Sequence, residues 1–518
     1  MKSVCELGAR ESRRLLSLLP ARSRLAAIAA GVLLISFSPA LAAQEPAPPG
    51  RSPSSGQQPG AGVQLYTGTS SGLSADARLL NLLADHRFRD IEAQLSQLPP
   101  DQAQFYRGIL ANRANDLEQS IQLLSPLADA VAQSGDAAHE KLLRKALAED
   151  YLRLGEWAKA ADAYQALDTR LKDKLTADEQ DEIEMPLKLL PLAKDYPPAT
   201  IEPCDPFKLP VSEDPLGLVD VPVFVDGRSR NWMLDPTLPF NLVARSTARS
   251  AGLEITKAGA AISTLTGRPI ELHAAVIPRF TLGGRLTLRN MTVFVFDDKD
   301  YYYPQTSYQV EGVLGYPALA AIGSLTITSD NTIFVRPAKQ ISPPEPNDLL
   351  TAGARFYLDG DQVIVALSSA RGIARGDPLA QPGSGAAGRG TSRAADSATN
   401  SASVADDERM FAVDAGGQQT YLTARYLDEH AAKFNGQKME MFSFLGGQSP
   451  SQPAYVAENV PLQAGATEFT LHFLHVLIQP LGSAAPGDVY GVLGTDALGQ
   501  LKSYTFDYRT MRFAVTTQ

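Results

Sequence analysis

Two textures of hydrophobic and polar positions divide most of the chain. From Leu73 to about Lys194, apolar residues recur at three- and four-residue spacing among good helix formers, which predicts a helical region over 73–195. From Leu218 onward the apolar runs are short and alternating, separated by Gly, Asp-Gly and Gly-Gly turns. Val221 to Val225, the Asp226-Gly227 turn and Trp232 to Leu234 read as a hairpin, and the whole C-terminal half reads as β structure. The proline-rich stretch 196–216 between them is expected to end the helices and space the domains.

Each half repeats itself. In the helical region, Asn115 to Ile121 ahead of Leu124 aligns with Gly155 to Ala161 ahead of Tyr164, and a weaker copy begins at Arg87-Phe88. A turn, an acidic residue, a large apolar residue and then small residues let paired helices approach closely. This pattern resembles the tetratricopeptide repeat and implies a short solenoid with a protein-binding surface. An ordinary helical bundle fits the same residues.

In the β half, Gly312-Val313-Leu314-Gly315 with Ala318-Leu319 returns as Gly491-Val492-Leu493-Gly494 with Ala497-Leu498. The same distance upstream of each copy lies an Asp after two apolar residues: Asp235 in Met233-Leu234-Asp235-Pro236-Thr237, and Asp414 in Ala412-Val413-Asp414-Ala415-Gly416. Equal spacing at both landmarks marks a duplicated β unit. The duplication resembles the pepsin and retropepsin family of aspartic proteases, with lobe 1 over 217–340 and lobe 2 over 353–518. The resemblance implies a two-lobed all-β fold with Asp235 and Asp414 as catalytic residues. It also implies active-site turns at Pro236, Thr237, Ala415 and Gly416, and crossed-loop support from Gly312, Gly315, Gly491 and Gly494. Flap hairpins fall at Thr266-Gly267 and Gly446-Gly447. Two neighbouring carboxylates share one proton, so that one activates water while the other donates to the peptide carbonyl.

The turns depart from the family's Asp-Thr/Ser-Gly. Pro236 lacks a hydroxyl and an N–H, Thr237 places a Cβ where Gly would allow close packing, and Ala415 lacks a hydroxyl. Two readings follow: an aspartic endopeptidase acting on a protein or peptide substrate, or an inactive binding or scaffold protein that kept the cleft. Residues 371–407, rich in Gly, Ala and Ser, read as a disordered insertion within lobe 2.

At the N-terminus, basic residues from Lys2 to Arg24 precede an apolar run, Leu25 to Phe37, and Ala40-Leu41-Ala42. That order predicts a secretory signal peptide over 1–42 and a periplasmic protein with no integral membrane segment after cleavage. A disordered Pro/Gly/Ser/Gln tether is expected over 43–72. With 47 basic against 57 acidic residues, the net charge of −10 argues against a nucleic-acid partner. Two cysteines among 518 residues exclude a disulfide scaffold, and scattered histidines offer no metal site, so no cofactor is expected. Cys204 stands as a lone thiol once Cys5 leaves with the signal peptide.

Overall fold

The computed structural model describes residues 75–215, 218–263, 269–304, 306–342, 351–360, 362–369, 408–414, 419–442, 452–479 and 489–517. Segments 1–42, 43–72 and 371–407, and the turn and flap residues Ala415, Gly416, Thr266, Gly267, Gly446 and Gly447, lie outside them. The layout is helices first, then β structure. Among the described residues, no helix is long and apolar enough to cross a membrane.

The helices pair through one kind of turn. Pro100–Arg113 is followed by Leu117–Leu124, and Ala137–Arg153 by Trp157–Leu171. Asn115 and Gly155 sit in these turns with φ of 58° and 70°, the left-handed conformation that ends a helix cleanly. The amide after each bonds back across the turn, Asp116 to the Ala111 carbonyl and Glu156 to that of Tyr151. His86, between Ala75–Ala84 and Phe88–Gln94, has φ of 54°, and the Arg87 amide bonds back to Leu82 in the same way. The sequence repeat is therefore a repeat of turn geometry.

The β half is duplicated strand by strand. In the first unit, Gly312–Leu314 runs parallel to Arg228–Leu234 and antiparallel to Leu242–Ala244. In the second, Gly491–Leu493 runs parallel to Glu408–Val413 and antiparallel to Tyr421–Leu422. Val313 faces Met233 and Leu242, as Val492 faces Ala412 and Tyr421. Gln362–Ser369 and Glu408–Val413 pair antiparallel.

The two units join through Ser324–Thr328 and Ser503–Asp507, paired antiparallel. Their register is symmetric about Thr326 opposite Thr505, 179 residues apart, whose hydroxyls bond at 2.8 Å. The same shift carries Gly315 to Gly494 and Asp235 to Asp414. The proline-rich stretch also contributes: Phe207–Pro210 pairs with Thr332–Arg336 at the edge of this central sheet.

Alternation assigns the two faces of each unit. Trp232, Leu234 and Leu314, with Phe411, Val413 and Leu493, belong to the deep core shared by both units. Met233, Leu242 and Val313 lie instead in a cluster with Trp157, Tyr164 and Leu189 of the helices. Met410, Ala412 and Val492 cluster with Phe88, Tyr106 and Ile109. The helical region thus covers one face of both units. Polar ties reinforce it: Arg113 with Asp359 at 2.9 Å, Arg89 with Glu408 at 2.6 Å, and the Tyr316 hydroxyl donating to Asn115 at 2.8 Å.

Candidate active site

Asp235 follows the strand Arg228–Leu234 directly, and its amide donates to the Leu314 carbonyl at 3.0 Å. Asp414 follows Glu408–Val413, and its amide donates to the Leu493 carbonyl at 2.9 Å. The backbone of each Asp is therefore anchored to the apolar-Gly strand of its own unit. The sequence landmarks are ladder partners in space.

Gly315 and Gly494 take part in a second matched contact. The Gly315 amide donates to Asn241 Oδ1 at 3.1 Å, and the Gly494 amide to Thr420 Oγ1 at 2.8 Å, both across 74 residues. Thr420 in turn donates its hydroxyl and amide to Asp496 Oδ1, at 2.5 and 2.9 Å. Sequence reasoning missed Asn241, Thr420 and Asp496. Asn241 and Thr420 stand at equal distance after Asp235 and Asp414, which is the clue the sequence offered. Two of the support glycines have steric reasons. A Cβ on Gly315 would lie 2.1 Å from the Phe240 carbonyl oxygen, and one on Gly312 would lie 2.4 Å from the Trp232 ring.

Thr237 does more than crowd the turn. Its amide and hydroxyl both donate to Asp235 Oδ1, at 3.0 and 2.6 Å. A hydroxyl is thus present one residue after Pro236, and it bonds Asp235 within the same turn. Tyr508, from the second unit, lies near enough for the charge of Asp235 to help push its hydroxyl pKa up, after burial and Tyr316. Tyr421 is pushed up by burial and then by Asp414.

The covered face lies next to the two Asp residues: Met233, two residues before Asp235, and Ala412, two before Asp414, both pack against the helices. Asp235 is 5% exposed, and the Trp157 ring of the helices lies 6.5 Å from that of Phe240 in a tilted pair, five residues beyond Asp235. Asp414 is half-buried.

Burial pushes the Asp235 carboxyl up, while the Thr237 hydroxyl and the Thr237 and Leu238 amides pull it back. The net direction is upward. The folded protein therefore binds more protons than the unfolded chain between the ordinary Asp value, about 4, and the raised one. The contribution of this group to stability should rise as pH falls through that window and level off below it. Urea midpoints taken stepwise from pH 7 to 4 should contain this gain, and Asp235→Asn should flatten the profile. An unchanged profile would contradict the burial of this carboxyl.

Cys204 is half-buried, and burial with Asp205 pushes its thiol up against the pull of Arg285, away from a nucleophilic thiolate. Among the described residues, Asp76, Asp136 and His139 could together hold a metal ion. Their atoms already bond one another and Tyr106.

Residues 221–318 match the aspartyl protease family, so the chain carries an aspartic protease-like domain. No protein with a curated description matches the chain. Among solved structures, it is similar to conglutin gamma, a basic 7S globulin from lupine seeds, at 12% identity and a TM-score of 0.35. That match covers 61% of this chain and 96% of the globulin. The basic 7S globulin from soybean matches at 11% identity and a TM-score of 0.36, over 61% and 97%. A retropepsin-like aspartic protease from Rickettsia conorii matches at 12% identity and a TM-score of 0.18, over 26% and 90%.

Proposed function

We propose that this chain is an exported, periplasmic aspartic peptidase whose two β units are the lobes of a pepsin-like domain. In this reading Asp235 and Asp414 share one proton, one activating water and the other protonating the carbonyl oxygen of a peptide substrate. The observation that carries it is the duplicated placement of the two Asp residues, each held by its amide to the apolar-Gly strand of its own unit. The aspartyl protease match over the first unit supports the same chemistry. Export rests on the order of basic, apolar and small residues over 1–42.

The helices enter this reading as a cover. A tetratricopeptide-like layer that buries its inner face on both Asp-bearing surfaces keeps substrate away, and a partner protein engaging its outer face would lift it. The backbone from Pro197 to Ala199 is exposed and lies outside any helix or strand, so a specific protease site inserted there leaves both halves intact. Cutting the full-length protein at that site should raise hydrolysis of an unfolded protein substrate at acid pH severalfold. Absence of turnover before and after cutting, from pH 3 to 7, would overturn the peptidase reading. Equal turnover in both states would overturn the cover.

A further inference from the structure

A cavity of about 410 Å³ lies against the first hairpin of the β half, lined in part by Asp220, Asn231, Arg230, Tyr308, Gln309 and Glu311. Its charges do not cancel. Arg230 is committed to Glu311, at 2.7 Å, and to Ser250, also at 2.7 Å. Among the described residues, Asp220 is left without a cation. It is 5% exposed, its Oδ2 accepts only a long bond of 3.4 Å from the Tyr308 hydroxyl, and its Oδ1 has no hydrogen-bond partner among the described residues. A second buried carboxylate, Asp214, lies close by and accepts the Leu218 amide at 2.9 Å. Burying a carboxylate with an unsatisfied oxygen is costly, and its retention calls for a ligand.

The fold itself does not require an acid there. Asp220 faces Met233 across the ladder, and in the second unit Ile364 faces Ala412, the counterpart of Met233. Ile364 is fully buried among apolar neighbours. The same register position therefore takes isoleucine in one unit and aspartate in the other. Asp235 follows Met233 by two residues, about 7 Å along the chain.

We infer that this cavity binds a basic side chain, the ammonium of a lysine or the guanidinium of an arginine in a peptide, with Asp220 as its counter-charge. Naming that peptide the substrate rests on the peptidase reading. Recognition of the basic group does not. Burial and Asp214 push the Asp220 carboxyl up to about 7, Glu311 adds to the rise, and Tyr308 opposes it. A cation in the cavity reverses the balance, so binding near pH 6 should release a proton.

The test is calorimetry on the full-length protein with N-acetyl-arginine methylamide, set against the uncharged N-acetyl-norleucine methylamide. The arginine probe should bind and release a proton at pH 6, and the norleucine probe should bind at least about tenfold more weakly. Asp220→Asn should weaken arginine binding by at least about tenfold. Asp220→Ile, which copies the register partner Ile364, provides a second variant if the first is poorly folded. Equal binding of the two probes, or undiminished arginine binding by both Asp220 variants, would overturn the site. Arginine binding that depends on Asp220 in a protein without turnover would uphold the site and remove only the word substrate.

Discussion

Asp414→Asn should lower hydrolysis of an unfolded protein substrate by about 10²–10⁴-fold, the range over which a positioned acid–base group acts. Asn keeps the shape of the side chain, and the Asp414 amide would still donate to Leu493, so the strand crossing survives. In the proposed mechanism, what is lost is the carboxylate that shares a proton and deprotonates water. Asp235→Asn should fall as far, and the double variant little further, because groups acting as a unit do not contribute additively. The measurement is initial rate at acid pH in protein cut between Pro197 and Ala199, with urea midpoints confirming that each variant folds. A wild-type rate in either variant would remove the pair from the mechanism.

Arg113→Ala should cost about 3–5 kcal/mol, the usual consequence of stranding buried partners of opposite charge. The Arg113 side chain is 6% exposed and contacts Glu149 at 3.1 Å and Asp359 at 2.9 Å. Burial alone would disfavour its charge, but Asp359 and Glu149 outweigh that and raise its pKa. Burial likewise pushes Asp359 up, yet Arg113, His86 and Lys145 together hold its carboxyl well below the ordinary range. Without the guanidinium, Glu149, 4% exposed at its side chain, has Lys145 at 3.8 Å and Arg153 at 3.6 Å for cations. The loss falls on the junction between the helices and the second β unit, so a urea transition that splits in two would locate it there. A loss below about 1 kcal/mol would mean that the apolar cluster alone holds the junction.

The two landmarks of the β half were legible because both are rigid backbone demands. An apolar strand followed by Gly, and an Asp after another apolar strand, keep their spacing when the surrounding sequence drifts. Gly315 shows why, since carbonyl oxygens of Leu238 and Phe240 occupy the space a Cβ would need. The supporting side chains were harder to see. Asn241 and Thr420 do the same job with different chemistry, one an amide oxygen and the other a hydroxyl, so residue identity conceals the match. Thr237 reads as an obstruction in the sequence and proves to be a donor to Asp235.

The address of the helices was also hidden. Amphipathic spacing in Trp157–Leu171 says that one face is buried but not against what, and only the fold brings Trp157 onto Phe240. Asp220 was passed over because one aspartate in an alternating strand resembles any solvent-facing residue. Only the fold brings Tyr308, 88 residues away, onto its carboxylate.

The strands that join the two β units carry related sequences, Ser324-Leu-Thr-Ile-Thr and Ser503-Tyr-Thr-Phe-Asp, and meet about the Thr326–Thr505 pair. Ser324 faces Asp507 while Thr328 faces Ser503, so each strand offers its neighbour nearly what it receives. This is an isologous contact, the kind by which two identical subunits close a dimer. The edge that each unit would otherwise expose is sealed by its own near-copy, and a symmetric pair uses up both edges at once. The covalent connection between the two units keeps this pairing independent of protein concentration.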